Sequence, residues 1–271
     1  MPMIQINNAN IYYEDSASAD NKKPVIVFAH GLLWSTKLYH KQVAYFKNDY
    51  RCICFDFRGQ GKSEVTDNGY DMDTLANDAI ALIRKLDIKK CHFVGLSMGG
   101  FVGQRVAIKN PELLDSLILL ETSADPEDPE KVQKYNKLIM AIKWLGMKMV
   151  SKKIMPIMFG QTFLADKSRK AEYKQWKANL EQNNKKGIVR ATRGVIDRQG
   201  VHEQINCIRT PTLVMVGDED VATPYQKAER IHLAIEGSKL VVIEKAGHTS
   251  TIEEPKQVNQ AVEQFLQSLK V

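Results

Sequence analysis

Short apolar runs alternate with longer amphipathic stretches along most of the chain. The apolar runs predict strands, and apolar residues spaced three or four positions apart between them predict helices. Met3 to Glu14 reads as an antiparallel hairpin. The later alternation of strands and helices predicts parallel β-α-β units. Strands are expected at 25–29, 51–56, 91–96, 116–121, 212–217 and 239–244, and helices near 36–47, 72–86, 98–109, 224–236 and 255–269.

The alternation breaks between Glu121 and Thr210, where no strand pattern occurs. Residues 130–193 carry helical apolar spacing instead, and Pro156 is expected to break or kink a helix there. A chain of 271 residues can bury one full core with such an insertion. The predicted domains are a core of residues 1–125 and 206–271 and a helical cap of residues 126–205.

One turn between a predicted strand and a predicted helix carries a serine. The pentapeptide from Gly95 through Ser97 to Gly99 reads G-x-S-x-G, and such a turn pushes the hydroxyl out at the end of the sheet. A side chain at Gly95 or Gly99 would crowd the backbone under the turn. The motif occurs by chance in about one chain of this length in ten, and serine is also a favoured helix N-cap. The flanking sequence therefore has to support the assignment of Ser97 as a nucleophile.

A serine nucleophile needs a base and an acid that orients the base. The chain order Ser, Asp or Glu, His is expected for this kind of turn. His248 follows a predicted strand and a glycine, and an imidazole accepts a proton readily near neutral pH. Three acidic residues follow the preceding strand, and the residues alone leave the choice among them open: Asp218, Glu219 and Asp220.

Two backbone amides are candidates for stabilising an oxyanion. The turn pattern uses the amide after the nucleophile, here that of Met98. It adds one from the loop after an earlier strand, here that of Leu32 within His30-Gly31-Leu32. Each such donor stabilises the transition state by about 3 kcal/mol.

Five ordered motifs resemble the α/β-hydrolase superfamily. Within it, the chain is most similar to the 3-oxoadipate enol-lactonase-like esterases and lactonases, through F-V-G-L-S-M-G-G-F-V-G-Q, E-T-S-A and H-T-S-T-I-E-E-P. Its sequence differs from the pattern typical of that group at residues 30–33 and at residues 196–198. The five motifs are H-G at 30–31, D-F-R-G-Q-G-K-S at 56–63, G-L-S-M-G-G at 95–100, G-D-E-D-V-A-T-P at 217–224 and A-G-H at 246–248.

The resemblance implies a fold and a reaction. The implied fold is α/β, a mostly parallel eight-stranded sheet flanked by helices, with an inserted helical cap. The implied reaction is hydrolysis of a small ester or lactone through an acyl-enzyme, with a Ser97-His248-Asp220 triad. Asp218 is the second choice of acid, and Glu121 or Asp125 the third, because some relatives place their acid after the preceding strand.

Other functions are compatible with the same residues. A thioesterase, a carbon–carbon hydrolase and a cofactor-free perhydrolase would use the same triad, and fold analogy does not separate them. A small-ligand receptor built on this fold would bind and turn over little. Substrate panels separate the enzymes from each other, and multiple turnovers separate an enzyme from a receptor.

The segment 59–63, Gly-Gln-Gly-Lys-Ser, looks like part of a phosphate loop. A Walker-type loop needs glycine at position 56, where this chain has Asp56. We interpret the segment as a structural turn held by Asp56 and Arg58, and expect no nucleotide.

The predicted cap is basic and rich in methionine and aromatic residues. Lys131 to Arg193 contains 16 basic and three acidic residues, which favours anionic substrates. Arg190, Arg193 and Arg198 are candidates for binding a carboxylate. The residues expected to line the substrate site, by an apolar surface suited to an acyl chain or small ring and by one cation, are Met140, Trp144, Phe159, Leu33 and Arg193.

Composition excludes several classes of protein. No apolar run of about 20 residues exists, and no recognition motif for nucleic acid occurs, so neither a membrane partner nor nucleic acid is expected. The first residues do not form a signal peptide, and four scattered cysteines favour free thiols in a reducing cytoplasm. The six histidines form no i, i+4 pair, so neither metal nor cofactor is expected. The chain is expected to be a monomer or a homodimer.

Overall fold

The sheet forms the centre of the molecule. A computed structural model describes residues 2–17 and 22–269. The strands in this part of the chain are β1 Met3–Ile6, β2 Ala9–Asp15, β3 Val25–Ala29, β4 Arg51–Phe55, β5 Cys91–Leu96, β6 Leu114–Leu120, β7 Thr212–Gly217 and β8 Lys239–Ile243. They form one eight-stranded sheet in the order β1-β2-β4-β3-β5-β6-β7-β8. β2 is antiparallel to both its neighbours, and every pair from β4 through β3 to β8 is parallel, which confirms the predicted sheet.

Helices cover both faces of the sheet. They are α1 His40–Phe46, α2 Met72–Lys85, α3 Met98–Lys109, α4 Pro129–Leu145, α5 Met147–Met158, α6 Gln161–Ala165, α7 Lys170–Glu181, α8 Lys185–Ile196, α9 Tyr225–Ala234, α10 Ser250–Glu253 and α11 Pro255–Ser268. Successive strand residues point to opposite faces, so Val27 and Phe28 of β3 belong to separate buried clusters. Because both faces are covered, β3, β5 and β7 are buried along their whole length and appear in the sequence as unbroken apolar runs.

The helices between β6 and β7 form a helical insertion, residues 129–196. Within it, α4 packs on α5 and α8, and α5 packs on α7. The division of the chain into a core and a cap at residues 126 and 205 stays a prediction. Pro156 lies inside α5 and does not break it, contrary to one expectation. The helix ends two residues later, so the proline removes a hydrogen bond only from the final turn.

Three of the four cysteines are free and buried, Cys52, Cys54 and Cys91, whereas Cys207 is free and exposed.

None of the helices in residues 2–17 and 22–269 has both the length and the apolar character to cross a bilayer.

Candidate active site

Ser97 lies in a strained turn between β5 and α3. Its φ of 54° and ψ of −112° fall outside the regions that non-glycine residues usually adopt. The turn is held on both sides, because the Ser97 amide donates to the Leu120 carbonyl at 2.9 Å and Thr122 Oγ1 donates to the Ser97 carbonyl at 2.8 Å. These two hydrogen bonds hold the strained turn in place, so that the Ser97 hydroxyl lies at the carboxyl end of the sheet.

Two glycines make this turn sterically feasible. A Cβ at Gly95 would lie 2.3 Å from the Gly99 carbonyl oxygen, and one at Gly99 would lie 2.0 Å from the carbonyl oxygen of Ala29. Both distances are far inside van der Waals contact with backbone, which cannot move aside. The crowding predicted at these positions is confirmed.

Three side chains remote in sequence form one hydrogen-bonded chain. His248 Nε2 lies 2.9 Å from Ser97 Oγ, and His248 Nδ1 lies 2.9 Å from Asp220 Oδ2. Each residue follows the carboxyl end of a different parallel strand, β5, β7 or β8. Asp220 and His248 are 5% and 4% exposed, so little water competes for these bonds. The arrangement can accept a proton from the serine hydroxyl.

Asp220 is held in its ionised form. Burial raises the pKa of this carboxyl, but the charge of His248 and hydrogen bonds from His248 and Thr223 outweigh it, and the net shift of the pKa is downward. Oδ1 also accepts from the amides of Ala222 and Thr223 at 2.8 and 3.0 Å. An ionised carboxylate here stabilises a protonated imidazole.

The other acids considered from the sequence lie elsewhere. Asp218 Oδ1 accepts from the Ala246 amide at 3.3 Å, and Asp125 pairs with Lys227 at 2.8 Å. Glu121 is fully buried at the end of β6. Its burial and the nearby Asp220 charge raise the pKa of Glu121 well above the usual value, which favours the protonated form.

The loop after β3 lies directly beside Ser97. A Cβ at Gly31 would lie 3.3 Å from Ser97 Cβ. His30 supports this loop, because Nε2 accepts from the Phe57 amide at 3.1 Å and Nδ1 donates to the Gly31 carbonyl at 2.7 Å. Burial lowers the pKa of His30 to about 4, so its ring is neutral and keeps this tautomer.

The two predicted oxyanion donors have no competing acceptor. Met98 is the first residue of α3, so its amide has no partner within the helix. In the described part of the chain, neither the Met98 nor the Leu32 amide donates a hydrogen bond. Met98 follows Ser97 in sequence, and Leu32 follows Gly31 in the loop beside Ser97 and lines the same cavity as Ser97, described next.

A cavity of about 260 Å³, the inner cavity, adjoins Ser97 and His248. Its walls are mostly apolar and come from the sheet edge on one side and from the helical insertion on the other. Leu33, one of the predicted substrate contacts, lines it. The side chains from the insertion include Tyr135, Leu138, Ile142, Ile154 and Met158.

Two predicted lining residues, Met140 and Trp144, lie outside the inner cavity. They are 61% and 83% exposed on the outer face of α4, whereas Leu138 and Ile142 point inward. Each pair is four residues apart and shares a helix face. α4 has apolar residues on two faces, so the sequence spacing did not show which face meets Ser97.

Phe159 and Arg193 also fail to line the inner cavity. Phe159 is buried against Phe163 and Trp34, with ring centroids at 4.6 and 6.0 Å. Arg193 donates to Asn136 at 2.8 Å on the surface. The structure therefore gives Phe159 a place among buried aromatic rings and Arg193 a partner at the surface, and neither contacts the inner cavity.

Of the three arginines predicted as carboxylate-binding candidates, all within the described residues, Arg198 alone lines the inner cavity. Its guanidinium donates to Glu127 Oε2 at 2.9 Å and lies 4.2 Å from the centroid of the Phe101 ring. Arg190 instead pairs with Asp67 at 2.7 Å. Tyr135 also lines the inner cavity and was not predicted as a site residue, although its i, i+3 spacing to Leu138 places both on one helix face.

The segment 59–63 is a turn fixed by its neighbours. Asp56 accepts from the amides of Thr36 and Lys62 at 2.6 and 2.7 Å. Arg58 pairs with Asp78 of α2 at 2.7 Å. Residues 2–17 and 22–269 contain no group of three or more His, Cys, Asp or Glu side chains placed to hold a metal ion.

Comparison with known proteins shows the family of the chain. A model described as the alpha/beta hydrolase family matches residues 26–261. The chain belongs to this family. The hydrolase is 30% identical over 241 residues to 3-oxoadipate enol-lactonase 2 of Acinetobacter baylyi, covering 89% of this chain and 88% of that protein.

Two solved structures show how widely the fold is shared. An esterase from Thermogutta terrifontis superposes with a TM-score of 0.91 at 24% identity, covering all of both chains. The enol-lactonase from Burkholderia xenovorans LB400 also gives a TM-score of 0.91, at 23% identity over 98% of this hydrolase and 100% of that chain. At these identities the likeness establishes the fold alone.

Proposed function

We propose that this hydrolase cleaves a small ester or lactone through an acyl-enzyme, with Ser97 as nucleophile. The supporting observation is the continuous chain from Ser97 Oγ to His248 Nε2 and from His248 Nδ1 to Asp220 Oδ2, each link 2.9 Å. The relative named 3-oxoadipate enol-lactonase 2, at 30% identity, supports the same class of reaction.

The proposed reaction has two halves. Ser97 Oγ attacks the carbonyl carbon while His248 Nε2 takes the hydroxyl proton, and the amides of Leu32 and Met98 bind the oxyanion. Collapse of the intermediate breaks the ester bond, and His248 returns the proton to the leaving alcohol. Water then loses a proton to His248, attacks the acyl carbonyl and releases the acid, and the proton returns to Ser97. Asp220 holds the imidazole and stabilises its charged form throughout.

The helical insertion acts in this proposal as a cap over the acyl group. Its residues Leu138, Ile142 and Ile154 face Ser97 across the inner cavity. A volume of about 260 Å³ is small for a ligand site and suits a short acyl group or a small ring. An apolar wall on this side also limits water near the oxyanion.

The test measures turnover and covalent labelling together. Wild-type protein is expected to hydrolyse p-nitrophenyl acetate over many turnovers and to gain one fluorophosphonate adduct on Ser97 by mass spectrometry. Ser97→Ala is expected to lose both by at least about 10³-fold while keeping its circular dichroism spectrum. Ser35→Ala serves as a control with unchanged labelling. Substantial hydrolysis by Ser97→Ala would refute the nucleophile assignment.

The same assay separates the alternatives. Parallel rates for lactones, thioesters, carbon–carbon substrates and peroxide-dependent oxidation rank the reactions open to one triad. A receptor would instead bind a ligand tightly and show almost no second turnover.

A further inference from the structure

A second and larger cavity lies between α4 and α5 and reaches the loop after β7. We call it the outer groove. Its volume is about 560 Å³, against about 260 Å³ for the inner cavity. The apolar residues that line it include Leu138, Ala141, Leu145, Val150, Ile154 and Ile157.

The edges of the outer groove are unusually apolar for a protein surface. Leu145 and Met149, at the junction of α4 and α5, are 60% and 65% exposed, and Val221 on the opposite edge is 64% exposed. A single exposed apolar residue is ordinary, but a concave surface bordered by several exposed apolar residues indicates a ligand-binding site. The volume falls in the range of small-molecule sites.

The outer groove and the inner cavity share part of their lining. Tyr135, Leu138, Ile154 and Ile157 are among the residues that line both, so these side chains form a common wall between the two spaces. Leu138 is only half-buried and Ile157 is exposed, so close packing does not lock either side chain. Rotamer changes at these two positions would join the two spaces.

The rim of the outer groove is cationic. Lys134, Lys137 and Lys153 border it. Among the described residues none of these three forms an ion pair, whereas several other lysines do. A rim of uncompensated ammonium groups around an apolar floor complements an amphiphile with an anionic group.

We propose that the outer groove binds the apolar chain of an amphiphilic ester substrate. The ester carbonyl lies at Ser97, the chain passes between Leu138 and Ile157, and its anionic group lies against the lysine rim. This inference rests on the proposed function and names its substrate class: esters of chains longer than the inner cavity holds, ending in a carboxylate or similar anion.

Chain length provides the first test. For p-nitrophenyl esters from acetate to dodecanoate, below their critical micelle concentrations, kcat/KM is expected to rise with length by up to about fourfold per methylene once the chain enters the groove. Ala141→Trp fills the groove, and Ala141 lines the groove without lining the inner cavity. The variant should keep acetate hydrolysis within about twofold and lose dodecanoate hydrolysis by at least about tenfold.

Two matched charge variants provide the second test. Lys137→Gln with Lys153→Gln removes two rim charges, and Lys143→Gln with Lys152→Gln removes two charges from the same helices away from the rim. The substrate is the mono-p-nitrophenyl ester of dodecanedioic acid. The rim pair should lower kcat/KM about 3- to 10-fold, the control pair less than twofold, and added salt should erase the difference.

The outcomes separate the two proposals. Acetate hydrolysis and Ser97 labelling report on the hydrolase chemistry alone, so their absence overturns the proposed function. Intact acetate hydrolysis with kcat/KM falling steadily beyond short chains, or equal losses in both lysine pairs, overturns the groove assignment. So does a change of oligomeric state in Ala141→Trp by light scattering, which would indicate a second copy in the groove. Should Ala141→Trp fail to fold, the lysine pairs and the chain-length series decide.

Discussion

The carboxylate of Glu253 accepts hydrogen bonds from the backbone amides on both sides of His248. Its Oε1 lies 3.1 Å from the amides of Gly247 and Thr249. Its Oε2 accepts from the Gly160 amide, in the helical insertion, at 2.8 Å. One buried carboxylate therefore joins the His248 loop to the segment between α5 and α6. We interpret Glu253 as a positioning residue.

Glu253→Gln is expected to lower kcat about 10- to 100-fold with little change in KM, because the amide group offers a donor where three backbone amides need an acceptor. The misplaced His248 should also shift the midpoint of the pH–rate profile. Glu254→Gln, one residue away and partly exposed, is the control and should stay near wild type. A thermal shift without any change in kcat or pH profile would mean that Glu253 only stabilises the fold.

Asp220→Asn is expected to lower kcat by about 10³- to 10⁴-fold, because a neutral amide no longer orients His248 or stabilises its charged form. Asp218→Asn should retain most activity, since its carboxylate contacts the Ala246 amide. Steady-state kinetics of both variants decide the choice that the sequence left open. Equal losses would contradict the assignment of Asp220.

Glu121→Gln is expected to keep kcat/KM within about threefold, because burial raises the pKa of Glu121 and so favours its neutral form, and the amide has nearly the same shape. A carboxyl whose pKa is raised by burial stabilises the folded state at low pH and less as pH rises through that pKa. The unfolding free energy of wild type minus that of Glu121→Gln should therefore decrease as pH rises. A loss of activity as large as that of Asp220→Asn would assign Glu121 to the triad.

Asp56 should give an unusual pH dependence of stability. Burial raises its pKa from 3.8 to about 6 despite hydrogen bonds from the amides of Lys62 and Thr36. The Asp56 carboxyl contributes in full to the free energy of unfolding below about pH 4. This contribution, about 3 kcal/mol, is lost as pH rises through about 6. The difference in unfolding free energy between wild type and Asp56→Asn, measured in urea from pH 4 to 7, should fall by this amount. A constant difference would contradict the raised pKa.

Gly99→Ala is expected to destabilise the protein by about 3 kcal/mol or more, because its Cβ would meet the Ala29 carbonyl at 2.0 Å. Gly103→Ala lies on the same helix and meets only the side chains of Phe93 and Leu117, at 3.0 and 3.1 Å. Gly103→Ala should lower the free energy of unfolding by about 1 kcal/mol or less, since alanine also favours the helix. Chemical denaturation compares the two, and equal stabilities would contradict the steric argument.

Most of the sheet was predictable because its strands are buried on both faces. A short, unbroken apolar run such as Val25–Ala29 is then typical of a buried strand. The serine turn and the residues after β7 and β8 were predictable for a related reason. In parallel sheets, the ends of strands converge on one edge, so chain order indicates which side chains meet.

The helical insertion was less predictable in its details. α4 carries apolar residues toward the inner cavity, toward the outer groove and toward solvent, and helical periodicity cannot rank these faces. Trp144 was therefore placed in the site and lies outside it. Tyr135 lines both cavities and was treated as part of an apolar pattern.

Local sequence was enough to predict the order of the elements, the strained turn at Ser97 and the acid and base candidates, because local periodicity, glycine sterics and motif order act over short stretches. The assembled fold was needed to show that Asp220 rather than Asp218 contacts His248, and that burial raises the pKa of Glu121. Only it showed that two cavities share one wall. Those outcomes depend on burial and on distances between segments far apart in the chain, and no local pattern encodes them.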